Sequence, residues 1–262
     1  MLTAADMPGA IASTLVGSSA AALELRQETE LAGRVSARVL IVGETGVGKD
    51  RLARTIHRRS IRCRGPFVAV QCAGSEAQIE FALFGRHASG GAFHRADGGT
   101  LFLHGVDRLA ASVQLRLAQQ LSGEGQIRDH ETASHTNVRI IATASAPFDG
   151  RTRENGIRPE LYYLLNTIYI PVPPLRERRE DVEPLLEFFT RYYARRHRIA
   201  APALTTDARA QCQTYEWPGN LRQLEAVAAM MVLAQNGLPP HEIFERTARA
   251  VGQPLADDGA IV

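Results

Sequence analysis

The chain has 262 residues, 45% of them hydrophobic, and thirty basic against twenty-eight acidic side chains leave a formal charge of +2. That length and apolar content suffice for one large or two small globular domains, and so small a net charge excludes a global field directed at nucleic acid or membrane. No run approaches the roughly eighteen apolar residues of a membrane span and no export segment opens the chain; Cys63, Cys72 and Cys212 lack metal-ligand spacing and read as reduced, buried thiols, so a soluble cytoplasmic protein is expected.

From the N-terminus, residues 1–13 read as a tail and 21–31 as a helix. Val39–Val42 is a short apolar, partly β-branched run that predicts a buried parallel strand, and residues 49–60 predict the helix after it. Between them stand Gly43, Glu44, Thr45, Gly46, Val47, Gly48 and Lys49, a phosphate-binding loop in both spacing and context. Its glycines permit a tight turn that aims successive N–H groups and a helix N-terminus at phosphate, and Lys49 reaches the β and γ phosphates. Asp50 follows where the general pattern has a Ser or Thr to hold magnesium. These eight positions, 43–50, are the candidate nucleotide-binding set.

Further strands are predicted at Phe67–Gln71, 100–103, 138–143 and 167–170, and helices at Glu76–Phe84 and 112–120. Strand alternating with helix predicts an α/β fold, a parallel sheet covered by helices. After Pro171, Val172, Pro173 and Pro174 the strand pattern stops, and helices are predicted at 181–197, 206–213 and 220–234. We therefore expect an α/β nucleotide-binding subdomain over 14–174, a small all-helical lid over 175–250 and a frayed tail at 251–262. Arginine runs at 51–64 and 191–198 read as solvated helix faces rather than as DNA contacts, since acids elsewhere balance them and no helix-turn-helix follows.

Many segments then match one family in order and spacing. They include Leu15, Val16, Gly17, Ser18 and Ser19; the phosphate loop; Gly65, Pro66 and Phe67; Leu83, Phe84 and Gly85; Gly98, Gly99 and Thr100; Leu161, Tyr162 and Tyr163; Pro174, Leu175, Arg176, Glu177 and Arg178; and Trp217, Pro218, Gly219, Asn220, Leu221 and Arg222. Over about residues 14–236 the chain resembles the central AAA+ domain of sigma-54-dependent transcription activators. Asp50 fits that resemblance, because members usually carry an acidic residue after the lysine. The family implies ATP bound between neighbours in a ring and spent on remodelling sigma-54 RNA polymerase. It also implies that Arg222 senses the γ-phosphate and that Arg158 is the first of two arginine fingers, the second position being Leu164 here.

The departures from the family limit this implication. Members end the third strand in an Asp-Glu pair that orders magnesium and activates water, and this chain has His104 and Gly105. Imidazole replaces a carboxylate poorly on a hard cation, and glycine offers no base, so magnesium binding is expected to be weakened. Asp107 stands three residues too far on to be an expected substitute, and the sensor asparagine falls at Ser145, after Thr143. Between Gly85 and Gly98 the chain has only residues 86–97, too few for the sigma-54-contacting loop and the returning helix together. Although Gly91, Ala92 and Phe93 mimic the start of that loop, counting back from Gly98 assigns 91–97 to the returning segment, with Phe93 its aromatic. Contact with sigma-54 is therefore doubtful. Neither a DNA-binding domain nor an input domain is expected.

Three readings stand. The first is an ATP-binding, hydrolysis-poor regulator of transcription that forms a homo- or hetero-oligomer with a complete AAA+ activator. The second is an active ATPase and sigma-54-dependent activator. The third is a non-catalytic interaction scaffold.

Overall fold

The structure, a computed structural model, describes residues 15–86, 89–123, 137–145, 156–203 and 206–233, together with Glu242 and Arg246. The tails expected at 1–13 and 251–262 lie outside the described residues. In chain order the elements are α1 Ala20–Arg34, β1 Val39–Val42, α2 Lys49–Arg58, β2 Phe67–Gln71, α3 Glu76–Phe84, β3 Gly85–Arg86, β4 Ser89–Gly90, α4 Ala92–Arg95, β5 Thr100–His104, α5 Ala111–Ser122, β6 Arg139–Ala144, α6 Pro159–Leu165, β7 Ile168–Pro171, α7 Val182–His197, α8 Thr206–Thr214 and α9 Asn220–Leu233.

Five strands form one sheet in the order β2-β5-β6-β1-β7, every pair parallel. The middle strand β6 and its neighbour β1 are buried at every position, which is why they read as continuous apolar runs instead of alternating ones. Helices cover the sheet with stripes spaced for the purpose: α2 buries Leu52, Ala53 and Ile56. Leu40, Leu101, Leu103, Ile140 and Ala142 from the strands join Leu83, Leu117 and Leu161 from the helices in one core. The second core belongs to α7, α8 and α9 and centres on Phe189, Trp217, Leu224 and Val227. Trp217 is fully buried, and its indole N–H donates to the Cys212 carbonyl at 2.9 Å, so the burial leaves no orphaned donor.

The α/β class and the helical segment agree with the sequence reading. Two compact units result, and they are not consecutive in sequence. The sheet unit holds residues 25–43 and 49–172; the helical unit holds residues 15–24, Glu44–Gly48 and the described residues from Pro173 on. Three elements were not foreseen, whereas the helix α4 falls in the segment assigned to the return toward the third strand. Helix α6 escaped because its seven residues are too few for a clear period, and the two-residue strands β3 and β4 have none at all. Helix α4 is a single turn within 91–97. One expectation is corrected: Cys72 and Cys212 are buried, but Cys63 is exposed, because it lies in the turn beyond α2 rather than on a covered face.

The arginine runs are engaged within the fold. Arg54 lies over the Phe67 ring at 4.9 Å, Arg59 pairs with Glu30, and Arg62 donates to Asn137. Arg191 pairs with Glu187 at 2.8 Å, and Arg196 donates to the Tyr192 hydroxyl. No described helix is long and apolar enough to cross a membrane.

Candidate functional site

The tip of the phosphate-binding loop is held by the helical unit. Gly46 has φ +84°, and a side chain there would run into the Gly219 carbonyl, so both the turn and the close approach require glycine. Its carbonyl accepts from the Arg222 N–H at 3.3 Å, which sets the first turn of α9 directly on the loop. Asn220, fully buried, makes three bonds: its Oδ1 accepts from the Leu175 N–H at 2.8 Å, and its Nδ2 donates to the Thr45 carbonyl and to Glu44 Oε2, each at 3.1 Å. Glu44 also receives both terminal nitrogens of Arg176, at 2.8 and 2.5 Å, a two-pronged pair of the geometry that carboxylates and guanidinium groups favour. That hydrogen bond and the adjacent charge raise the Arg176 pKa. Asn220 and Arg176 were missed as loop-positioning residues, because their partners lie far away in sequence.

The sheet unit carries the other end of the loop. Lys49 is buried, and its ammonium donates to the Gly43 carbonyl. The neighbouring Asp50 opens α2, and its Oδ1 lies 2.7 Å from Nδ1 of His104, the last residue of β5. Burial raises the Asp50 pKa, but the hydrogen bond from His104 and the charges of His104, Lys49 and Arg54 overcome it, so the group stays below the usual carboxylate range. A carboxylate can only accept, so Nδ1 carries the hydrogen and donates.

Beyond His104 the backbone turns left-handed at Gly105, φ +77° and ψ +55°. Its N–H donates to the Thr143 hydroxyl at 3.0 Å, and the direction a side chain would take leads to the Arg108 stem and to Asp107. Asp107 Oδ2 accepts from the Ser145 N–H at 3.0 Å, tying the turn to the end of β6, while its Oδ1 is buried without a hydrogen-bond partner. Burial, with the Asp107 charge added, pushes the Cys72 thiol up to about 12.

This donor set does not fit magnesium. A hard cation needs several oxygens in near-octahedral array. Here one Asp50 oxygen is committed to imidazole, one Asp107 oxygen to a backbone N–H, and Gly105 has none to give. Among the described residues no group of three or more His, Cys, Asp or Glu side chains could hold a metal ion.

Arg158 stands at the start of α6, its N–H bonded to Gln114 Oε1 at 2.8 Å and its Nε 3.4 Å from Glu160. Leu164 packs against the sheet core. In the 86–97 segment, β3 and β4 form an antiparallel pair leading into α4. Phe93 stacks on Phe84 with centroids 5.9 Å apart, and Arg116 covers Phe84 at 4.3 Å. Phe93 is thus an inward packing residue, and an exposed contact is not its place.

The sigma-54 interaction domain matches residues 15–171, and an AAA+ ATPase lid domain matches 176–251. The chain belongs to the sigma-54 interaction family. Among its relatives, the transcriptional regulatory protein ZraR of Klebsiella oxytoca is 36% identical over 258 residues, covering 93% of this chain and 57% of that protein. The sigma-54-dependent transcriptional activator SfnR of Pseudomonas putida is 39% identical over 202 residues, 73% of this chain and 55% of that protein. Crystal structures of NtrX from Brucella abortus show the same fold: the ADP complex at TM-score 0.77 and 30% identity, covering 92% of this chain and 66% of that one, and the ATP complex at 0.77 and 31%, covering 92% and 62%. The chain spans about half the length of the curated relatives it matches.

Proposed function

We propose that the chain is a nucleotide-binding regulator of transcription, which holds ATP, cleaves it poorly and acts by assembling with a complete sigma-54 activator. The observation that carries this reading is the contrast between the loop and the end of β5, each taken within its own unit. The loop that cradles phosphate keeps its glycines, its lysine and its glycine-to-α9 packing, whereas the end of β5 presents an imidazole bound to Asp50 and a left-handed glycine. The ATP and ADP complexes of NtrX support a nucleotide on such a loop.

In this reading the N–H groups of residues 43–50 and the Lys49 ammonium take the phosphates, with the Gly43 carbonyl giving up its bond to Lys49, and Arg222 attends the γ-phosphate. Arg158 serves the site of a neighbouring subunit. No side chain at Gly105 takes the proton from attacking water, which by itself slows cleavage about 10²–10⁴-fold. The short β3–β4 pair and the inward Phe93 support the absence of a force-bearing loop, so sigma-54 contact passes to the partner.

Equilibrium ATP binding, phosphate release and co-purification with a full-length activator test the proposal together. Binding and association with little release are expected, and Lys49→Ala should remove the binding. Sustained phosphate release that Lys49→Ala abolishes, with transcription from a sigma-54 promoter, would establish an active ATPase instead. Absence of both nucleotide and activator binding would sink the reading.

A further inference from the structure

The mismatch between this donor set and magnesium has a consequence for the ligand itself. Resting on the nucleotide-binding reading, we infer that the site takes ATP as the metal-free nucleotide. In a site lined by carboxylates, the divalent ion serves two purposes: it neutralises phosphate charge, and it separates the phosphates from the acids that hold it. Here positions 104 and 105 carry no acid. His104 and Gly105 end the strand, and the one carboxylate next to Lys49 is turned onto an imidazole at 2.7 Å. Asp50 is thereby occupied whether or not the imidazole is protonated, because Nδ1–H donates in both forms.

The remaining charge around the strand end is favourable to a bare triphosphate. Lys49 lies at the loop, the Arg108 stem lies over Gly105, and Arg54 is close enough to lower the Asp50 pKa. Against them stand Asp50, one of its oxygens paired, and Asp107, whose Oδ2 is bonded to the Ser145 N–H and whose Oδ1 is buried without a hydrogen-bond partner. The backbone N–H cradle of the loop needs no metal to bind anions. A divalent ion arriving with ATP would find one imidazole nitrogen at the end of β5, a ligand suited to zinc or copper more than to magnesium.

The test is ATP binding by the whole chain in EDTA, in magnesium, in manganese and in zinc, read by calorimetry and by thermal shift. We expect the tightest apparent Kd in EDTA, weakened about threefold or more in each divalent ion, because an ion that complexes ATP in solution removes the metal-free form that the site takes. His104→Asp should weaken binding in EDTA by about tenfold or more and make it magnesium-dependent, because it restores a carboxylate beside Asp50 and the phosphates. Binding by the native chain that is equally tight with a divalent ion, or that needs magnesium, manganese or zinc, would overturn the inference and leave the nucleotide-binding reading intact. Absence of binding in every buffer would overturn both. The native chain decides between these outcomes, so the result stands even if the variant fails to fold.

Discussion

At the residue scale, Gly105 is held by its backbone conformation. Its φ of +77° places it in a backbone region that a side chain enters only at a cost of about 1–2 kcal/mol. Restoring the acids as His104→Asp with Gly105→Glu should therefore destabilise the protein by about that amount through Gly105→Glu. Recovered turnover should stay below that of an unaltered family member; denaturant midpoints and phosphate release read the two effects, and full recovery without destabilisation would refute the strain argument. The cysteines allow a second prediction. Burial pushes Cys72 and Cys212 to about 12, with the Asp107 charge adding to the first, while Cys63 is exposed. Thiolate is the reactive form, so the native protein at pH 8 should take up a thiol reagent at Cys63 and show the other two only after unfolding. Mass spectrometry of labelled peptides checks this. Labelling of Cys72 in the native state would contradict its burial.

At the element scale, the first turn of α9 depends on Asn220. The residue has φ +52° and satisfies one backbone N–H, one backbone carbonyl and one carboxylate from a fully buried position. Asparagine tolerates left-handed backbone better than most residues, and here it bonds the loop as well. Asn220→Ala leaves the Leu175 N–H unpaired and adds strain, which should cost about 2–4 kcal/mol. Asn220→Gly loses the same bonds without the strain and should be milder by about 1 kcal/mol. Denaturation followed by Trp217 emission reads both, since the chain has one tryptophan and it lies in the same core. Equal losses would show that strain is absent. A neighbouring clasp is equally dense: Asp181, fully buried, accepts from the N–H groups of Ser18 and Ser19 and from the Ser19 hydroxyl, binding the segment before α1 into the helical unit.

At the scale of the whole molecule, ligand binding should register as stability. ATP at about 100 times its Kd should add about 2.7 kcal/mol, a rise in the thermal midpoint that Lys49→Ala removes. An unchanged midpoint with saturating ATP would argue for an empty scaffold. Much of the fold was legible in the sequence because it is written locally. Val39–Val42, Phe67–Gln71 and the strand of β5 are apolar runs bounded by turn residues, and α3 was delimited at Glu76–Phe84 as found. The phosphate-binding loop was equally plain, since its chemistry demands fixed spacing between a strand and a helix. Family membership followed from the order of such segments along the chain. The sequence by itself thus determined the sheet class, the loop and the identity of the residues at the end of β5. Only the tertiary structure decided that His104 turns onto Asp50, that Gly105 is left-handed, that Asp107 is bonded to β6, and that Asn220 and Arg176 hold Glu44. Each of these joins groups brought together by sheet order or by helix packing across long stretches of chain, and no local period or motif encodes such a meeting.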